Sequence, residues 1–268
     1  MCGRYELSSH PDVVALAFGL AHAPALRARY NIAPTQAVPV VRVNRDGERE
    51  CVEMRWGFIP RFAKDPAIGA RMINARAETV AKSGAFRYAF AHHRCLVPLN
   101  GFYEWRKTAT GKVPHHIGMR DGRPFALAGI YERWRAPDGE PVTSVAIVMT
   151  DASEAVRGIH DRMPVIVPPD AYARWLDRAN EDASDVLAPW QGEALRIHPV
   201  SKRVNAVAND DASLIEPAAE ASASSSAAPA AESNDEANAR DRGREDEGQL
   251  ALSLERPPAI KASTDRRR

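Results

Sequence analysis

The chain begins Met1-Cys2-Gly3-Arg4-Tyr5, and its second residue has the most distinctive chemistry available to it. An initiator methionine ahead of so small a side chain is normally trimmed, which would make Cys2 the N-terminus. A terminal cysteine carries an amine and a thiol on adjacent carbons, with ordinary pKa values of about 7.7–8.0 and about 8.5, so both are partly nucleophilic near neutral pH. Such a 1,2-aminothiol can attack an amide or ester through sulfur. It can also condense with an aldehyde, first to an imine and then to a closed thiazolidine ring. The alternative is that Cys2 is an accident of position.

Four further segments pair polar side chains with rigid backbone signals. In Met72-Ile73-Asn74-Ala75-Arg76-Ala77-Glu78-Thr79 an amide and a guanidinium stand two apart, just ahead of a helix. In Asn100-Gly101-Phe102-Tyr103-Glu104-Trp105 a carboxylate lies between aromatic residues on a strand, where desolvation would favour general acid/base chemistry. Ile159-His160-Asp161-Arg162-Met163-Pro164 closes a short helix with an imidazole, a carboxylate and an arginine. Asn31-Ile32-Ala33-Pro34-Thr35 reads as a structured loop. Each has a purely structural explanation as well. Glu104 can pair with Arg106 or Lys107, His160 can serve a helix C-terminus and Asn74 can cap a helix.

The elements that must hold these residues are mostly strands. Ala37 to Val43 and Cys51 to Trp56 flank Asp46-Gly47 as a hairpin. Leu96–Leu99, Phe102–Arg106, Pro114–Met119, Pro124–Tyr131 and Thr143–Thr150 repeat the pattern between Asn-Gly, Thr-Gly and Asp-Gly turns. Helical patterns cover Asp12–Leu20, Ala77–His92 with a break near Ser83-Gly84, Ser153–Ile159 and Pro169–Leu176. The fold class expected is α+β, a single domain over residues 1–216 with an antiparallel, barrel-like core and peripheral helices. From Pro217 onward the chain turns to Ala, Ser, Glu and Arg without one aromatic residue, and residues 217–268 are expected to be a disordered tail.

With 44% hydrophobic and 26% charged residues the composition is that of a soluble globular protein. Net charge is +1 overall, and residues 1–216 carry 28 basic against 25 acidic side chains, so a nucleic-acid site must be a local patch. No apolar run approaches the roughly 20 residues that span a bilayer, and the start has no secretory pattern. Three cysteines, Cys2, Cys51 and Cys95, are too few and too scattered for a disulfide framework, and a cytoplasmic setting is expected. Cys51 and Cys95 are assigned to the β core. His92, His93, Cys95, His115 and His116 match no standard zinc spacing, and no metal or cofactor is expected.

Seven segments in order, MCGRY, RYNIAPT, RWGFIP, INARAET, GFYEW, IHDRMPVI and HPVS, spread over residues 1–201. Together they resemble the SOS-response-associated peptidase (SRAP) family, the abasic-site processing proteins. The resemblance implies one SRAP domain that binds single-stranded DNA and traps abasic sites covalently, with a bacterial, nucleoid-associated, monomeric protein the natural setting. It implies that Cys2, freed of Met1 by the site itself, joins the ring-opened C1′ aldehyde as a thiazolidine. Glu104 becomes the acid/base, His160 a proton donor to the sugar oxygen or a phosphate contact, and Asn74 the group that orients the terminus or the sugar. A lyase side reaction is implied too, because an imine acidifies the C2′ proton. Arg4, Arg76 and Arg162 are the phosphate ligands to be expected, Asn31, Pro34 and Thr150 match positions along the strand path, and Phe62 can stack or wedge. Trp56 is the other aromatic there, although strand tryptophans usually sit in cores.

The sequence departs from the family pattern in two places. Arg61-Phe62-Ala63 follows Pro60 where many members carry two bulky aromatics, and Gly84 stands where members often have arginine, with Lys82 and Arg87 nearby. In the tail, Gln249-Leu250-Ala251-Leu252-Ser253-Leu254 resembles the peptides with which bacterial proteins dock on the replication sliding clamp, and Asp265-Arg266-Arg267-Arg268 adds a basic end. Two other readings stay open. A class II glutamine amidotransferase also uses an N-terminal cysteine, though its usual isoleucine after the glycine and its arginine-glycine motif are missing. A non-covalent single-stranded-DNA-binding barrel would leave Cys2 incidental.

Overall fold

A computed structural model describes residues 2–135, 139–192 and 195–218; the clamp-like peptide at 249–254 and the rest of the expected tail lie outside them. The strands are β1 (Tyr5–Leu7), β2 (Arg29–Ile32), β3 (Ala37–Val43), β4 (Arg49–Trp56), β5 (Asn74–Arg76), β6 (Arg94–Leu99), β7 (Gly101–Thr108), β8 (Gly111–Met119), β9 (Phe125–Trp134), β10 (Val142–Asp151), β11 (Arg162–Pro164), β12 (Ile166–Val167) and β13 (Leu195–Pro199). The α-helices are short: α1 (Pro11–Phe18), α2 (Ala77–Val80), α3 (Arg87–His92), α4 (Glu154–Arg157) and α5 (Tyr172–Leu176).

Five strands close a barrel. β10 pairs β4, β4 pairs β3, β3 pairs β6, β6 pairs β9, and β9 returns to β10. The β4–β10 contact is parallel and the other four are antiparallel. All six residues of β6 are buried, as expected of a strand covered on both faces. The β3–β4 hairpin forms where Asp-Gly predicts it; the Asn44 side chain accepts from the Asp46 and Glu48 amides, each at 2.9 Å, an Asx-type turn that pins the register. A second sheet runs β13-β8-β7-β1-β2, and β5 adds to β10 in parallel.

Cys95 lies in the core and Cys51 packs against it. Trp56 is fully buried and donates through Nε1 to the Ile73 carbonyl at 3.0 Å, so it is a core residue with its polar atom satisfied. The segment at Asn31 is β2 rather than a loop, and Asn74 to Arg76 form β5 before α2 begins. Both strands are too short to announce themselves by alternation. Residues 200–218 form a strap of single turns, Lys202–Asn205 and Ala212–Ile215, which packs Val200, Val204 and Leu214 on Tyr103. No helix among the described residues is long and apolar enough to cross a membrane.

Candidate active site

β1 follows directly on Cys2 and Gly3 and lies between β2 and β7. The Tyr103 amide donates to the Arg4 carbonyl at 2.9 Å, which aligns the start of the chain with the strand that carries Glu104. From the barrel side, β5 runs beside β10, with Asn74 opposite Ile147. The Asn74 amide donates through Nδ2 to the Cys2 carbonyl at 2.9 Å. Its Oδ1 is buried and has no hydrogen-bond partner among the described residues, an uncommon state for a side-chain oxygen.

The Cys2 side chain is fully buried. Burial first, and then the negative charge of Glu104, push its thiol up to about 12, so with Met1 attached it stays protonated at neutral pH. Glu104 is itself 5% exposed and accepts from the Trp105 amide at 3.3 Å. Cys2, Asn74 and Glu104 therefore meet where the second sheet abuts the barrel.

A cleft of about 820 Å³ opens beside them, lined by Asn74, Arg76, Lys107, His160 and Arg162 among others. His160 reaches it because the Ala152 amide bonds the Asp161 carbonyl at 2.9 Å, folding the loop after α4 back on β10. Its Nδ1 accepts from the Arg162 amide at 3.0 Å and lies 2.8 Å from Asp161 Oδ1. The first contact needs a bare Nδ1 and the second a protonated one, so gaining a proton exchanges one partner for the other. Arg162 donates to Glu78 Oε2, to Asp151 Oδ1 and to the Met149 carbonyl, each at 2.9 Å. The guanidinium bonds hold Glu78 below the usual carboxylate range. Arg162 thus faces the cleft with its charge already engaged.

The other expected DNA contacts are more dispersed. Arg76 is exposed at the end of β5, and Thr150 is buried on β10 opposite Met163. Phe62 is 66% exposed. Pro34 and Thr35 form a turn closed by the Gln36 amide on the Ala33 carbonyl at 3.4 Å, and Thr35 is the one non-glycine residue among those described with positive φ, at 72°. Asn31 is buried, and its amide donates to the carbonyls of Val204, Ala206 and Asn209 at 3.2, 3.1 and 2.7 Å. Arg4 bonds Asn31 Oδ1 at 2.8 Å and the Val204 carbonyl at 2.7 Å. These two side chains fasten the strap, and neither is directed into the cleft by its bonds.

Sequence reasoning missed Lys107 as a cleft residue. It also missed the buried group behind the site, where Glu6 on β1 meets His116 on β8 at 3.3 Å and His116 lies 5.4 Å ring to ring from His198 on β13. The bond crosses β7 at Gly101, where a Cβ would stand 2.1 Å from His116 Nε2. A glycine opposite a histidine in a hairpin is the signal that was available. Among the described residues no group of three His, Cys, Asp or Glu side chains is arranged to hold a metal ion.

Comparison with known proteins places these features in a lineage. The chain is 35% identical to the abasic site processing protein YoqW of Bacillus subtilis, over 81% of this chain and 99% of that protein. It is 32% identical to YedK of Escherichia coli over 81% of this chain and 100% of that one, and 33% identical to HMCES of Gallus gallus over 71% and 66%. A crystal structure of a Bacteroides thetaiotaomicron protein superimposes with a TM-score of 0.71 at 25% identity, covering 81% of this chain and all of that one. One from Bordetella bronchiseptica gives 0.67 at 28% identity over 75% of this chain. The family described as SOS response associated peptidase (SRAP) matches residues 1–207, and the chain belongs to it.

Proposed function

We propose that this protein processes abasic sites by capturing them covalently in single-stranded DNA. The observation that carries the reading is the seat of Cys2, its carbonyl held by Asn74 and its thiol beside Glu104 at the edge of an open cleft. The relatives named as abasic site processing proteins support it.

In the proposed sequence Met1 is hydrolysed off by the site, which frees the Cys2 amine. Asn74 Oδ1, the buried acceptor without a partner, takes a hydrogen from that amine. The amine adds to C1′ of the opened sugar and loses water to give an imine. The thiol then adds across the C=N bond, its proton passing to nitrogen, and the ring closes. Glu104 moves these protons, and His160 serves the sugar oxygen or the neighbouring phosphate. An imine that loses its C2′ proton before closure would give lyase cleavage. Arg76, Lys107 and Arg162 face the backbone along the cleft, with Pro34, Thr150 and Phe62 on the strand path. Arg4 and Asn31 act indirectly by fixing the strap. The protein works as a cytoplasmic monomer at the nucleoid, and its 249–254 peptide tethers it to the sliding clamp; Leu250→Ala with Leu252→Ala should abolish clamp pull-down.

The decisive experiment is a denaturing gel of the full chain with abasic or intact oligonucleotide. A heat-stable adduct should form with the abasic strand alone and vanish in Cys2→Ala. Equal non-covalent binding to both strands, or ammonia release from glutamine, would support the barrel or the amidotransferase instead.

A further inference from the structure

Phe62 and Tyr88 are among the few large apolar side chains left substantially exposed, at 66% and 43%. They sit on different elements, the loop after β4 and helix α3, and Arg61 joins them. Its guanidinium carbon lies 3.3 Å from the centre of the Tyr88 ring, close cation–π contact. In the plane of the guanidinium, Nε donates to the buried Glu132 carboxylate at 3.1 Å. That bond, with Tyr88 on one face, fixes the plane, and the Arg61 side chain remains 45% exposed.

The loop is rigid. The Phe58 amide bonds the Met72 carbonyl at 3.0 Å, the Ile59 amide bonds Ser144 Oγ at 2.8 Å, and Trp134 Nε1 bonds the Ala63 carbonyl at 2.8 Å. Gly57, at φ 133°, packs so closely on Gly69 that a Cβ would stand 2.6 Å from its carbonyl oxygen. Tyr88 is braced at its edges by His92 and His93, with ring centroids at 4.7 and 5.3 Å. Holding flat side chains in water on a fixed frame forgoes the ~1.5–3 kcal/mol that burying one large apolar side chain yields. A merely structural arginine–tyrosine pair would be covered.

The charge around the pair is suited to a polyanion. Lys64, Lys82 and Arg87 are exposed nearby in sequence. Of the nearby carboxylates, Glu132 is engaged by Arg61, and Asp65 caps the following turn through the Ala67 amide at 2.8 Å. Exposed aromatic and guanidinium planes within a basic surface are what unpaired bases stack on.

We propose that the Arg61–Tyr88 pair, with Phe62 beside it, is a stacking site for a nucleobase that neighbours the captured sugar. The proposal rests on the DNA reading above and adds a base-binding subsite to it. In this chain Tyr88 supplies, from a helix, the second flat surface that Ala63 cannot.

The test uses the full chain and single-stranded oligonucleotides with a tetrahydrofuran abasic analogue, which binds without reacting. 2-Aminopurine is placed 5′ of the analogue, 3′ of it, or six nucleotides away. Fluorescence should be quenched on binding at one neighbouring position and not at the distant one. Tyr88→Leu and Arg61→Gln should abolish that quenching and weaken binding about 5- to 150-fold, the range of one stacked base, while Tyr88→Phe retains both. Circular dichroism confirms that each variant is folded. Unchanged quenching in folded Tyr88→Leu and Arg61→Gln overturns the proposal. So does absence of quenching at both neighbours in the parent protein; if that protein still forms the adduct with aldehyde-bearing DNA, the function stands and only the subsite falls.

Discussion

At the scale of single residues, the site depends on how a thiol at the chain start is kept and then released. Buried beside Glu104, Cys2 is held at a pKa of about 12, so the form with Met1 attached is inert as a nucleophile at neutral pH. Freeing the amine places a second nucleophile on the same residue, and Glu104 is the nearest charge to both. Glu104→Gln keeps the shape and removes the base. We expect it to slow adduct formation by about 100-fold or more, read as the single-turnover rate on a denaturing gel, with the pH dependence of the rate flattened. An unchanged rate and profile would remove Glu104 from the chemistry. Cys2→Ser supplies amine without thiol, and its adduct should be a borohydride-trappable imine and no stable ring.

At the scale of elements, β1, β7 and β8 form the platform that seats the chain start, and Gly101 is the window through it. His116 is enclosed by Tyr103 and His198, with ring centroids at 5.5 and 5.4 Å, so it cannot withdraw from a new methyl group. Gly101→Ala should break the Glu6–His116 contact and cost about 3 kcal/mol, the scale for stranding one partner of a buried pair. That is a fall of roughly 10 °C in Tm, and combining it with His116→Ala should add little further loss. The turn at Pro34-Thr35 stores strain of the opposite use. A β-branched residue at φ 72° is costly where asparagine is tolerated. Thr35→Asn should therefore raise Tm by about 2–4 °C, equivalent to ~1 kcal/mol; a decrease would mean that the threonine hydroxyl holds the turn in a way its backbone does not reveal. The β8–β13–strap junction also sets a pH response. Burial lowers His115 and His198 below the ordinary value of 6.5, so both are neutral in the folded protein and take up protons more readily when unfolded. Their contribution is complete above pH 6.5 and is lost as pH falls through the folded values. Tm should decline on acidification below 6.5, and less steeply in His198→Gln.

At the scale of the whole molecule, the strands that carry the barrel were legible because β-branched runs between Asp-Gly and Asn-Gly turns encode both strand and register. The hairpin at 37–56 and the strands at 96–150 fall within a few residues of expectation. β1, β2, β5, β11, β12 and β13 have two to five residues each, too few for a period, and their pairing comes from distant partners. The Cys-Gly start, Asn74, Glu104 and His160 stood out by chemical type. The pairing of Arg162 with Glu78, 84 residues away, and the use of Asn31 to hold the strap depend on three-dimensional proximity that no local pattern encodes. That long reach has a consequence for biosynthesis. Arg4, two positions after the nucleophile, is anchored to Val204, 200 residues downstream, and ribosomes emit the first of these about 10–40 s before the second at ~5–20 residues per second. Throughout that interval the leading end is an untethered thread, so any trimming done by the mature cradle is necessarily a post-release event, and nascent chains cannot yet capture damaged DNA.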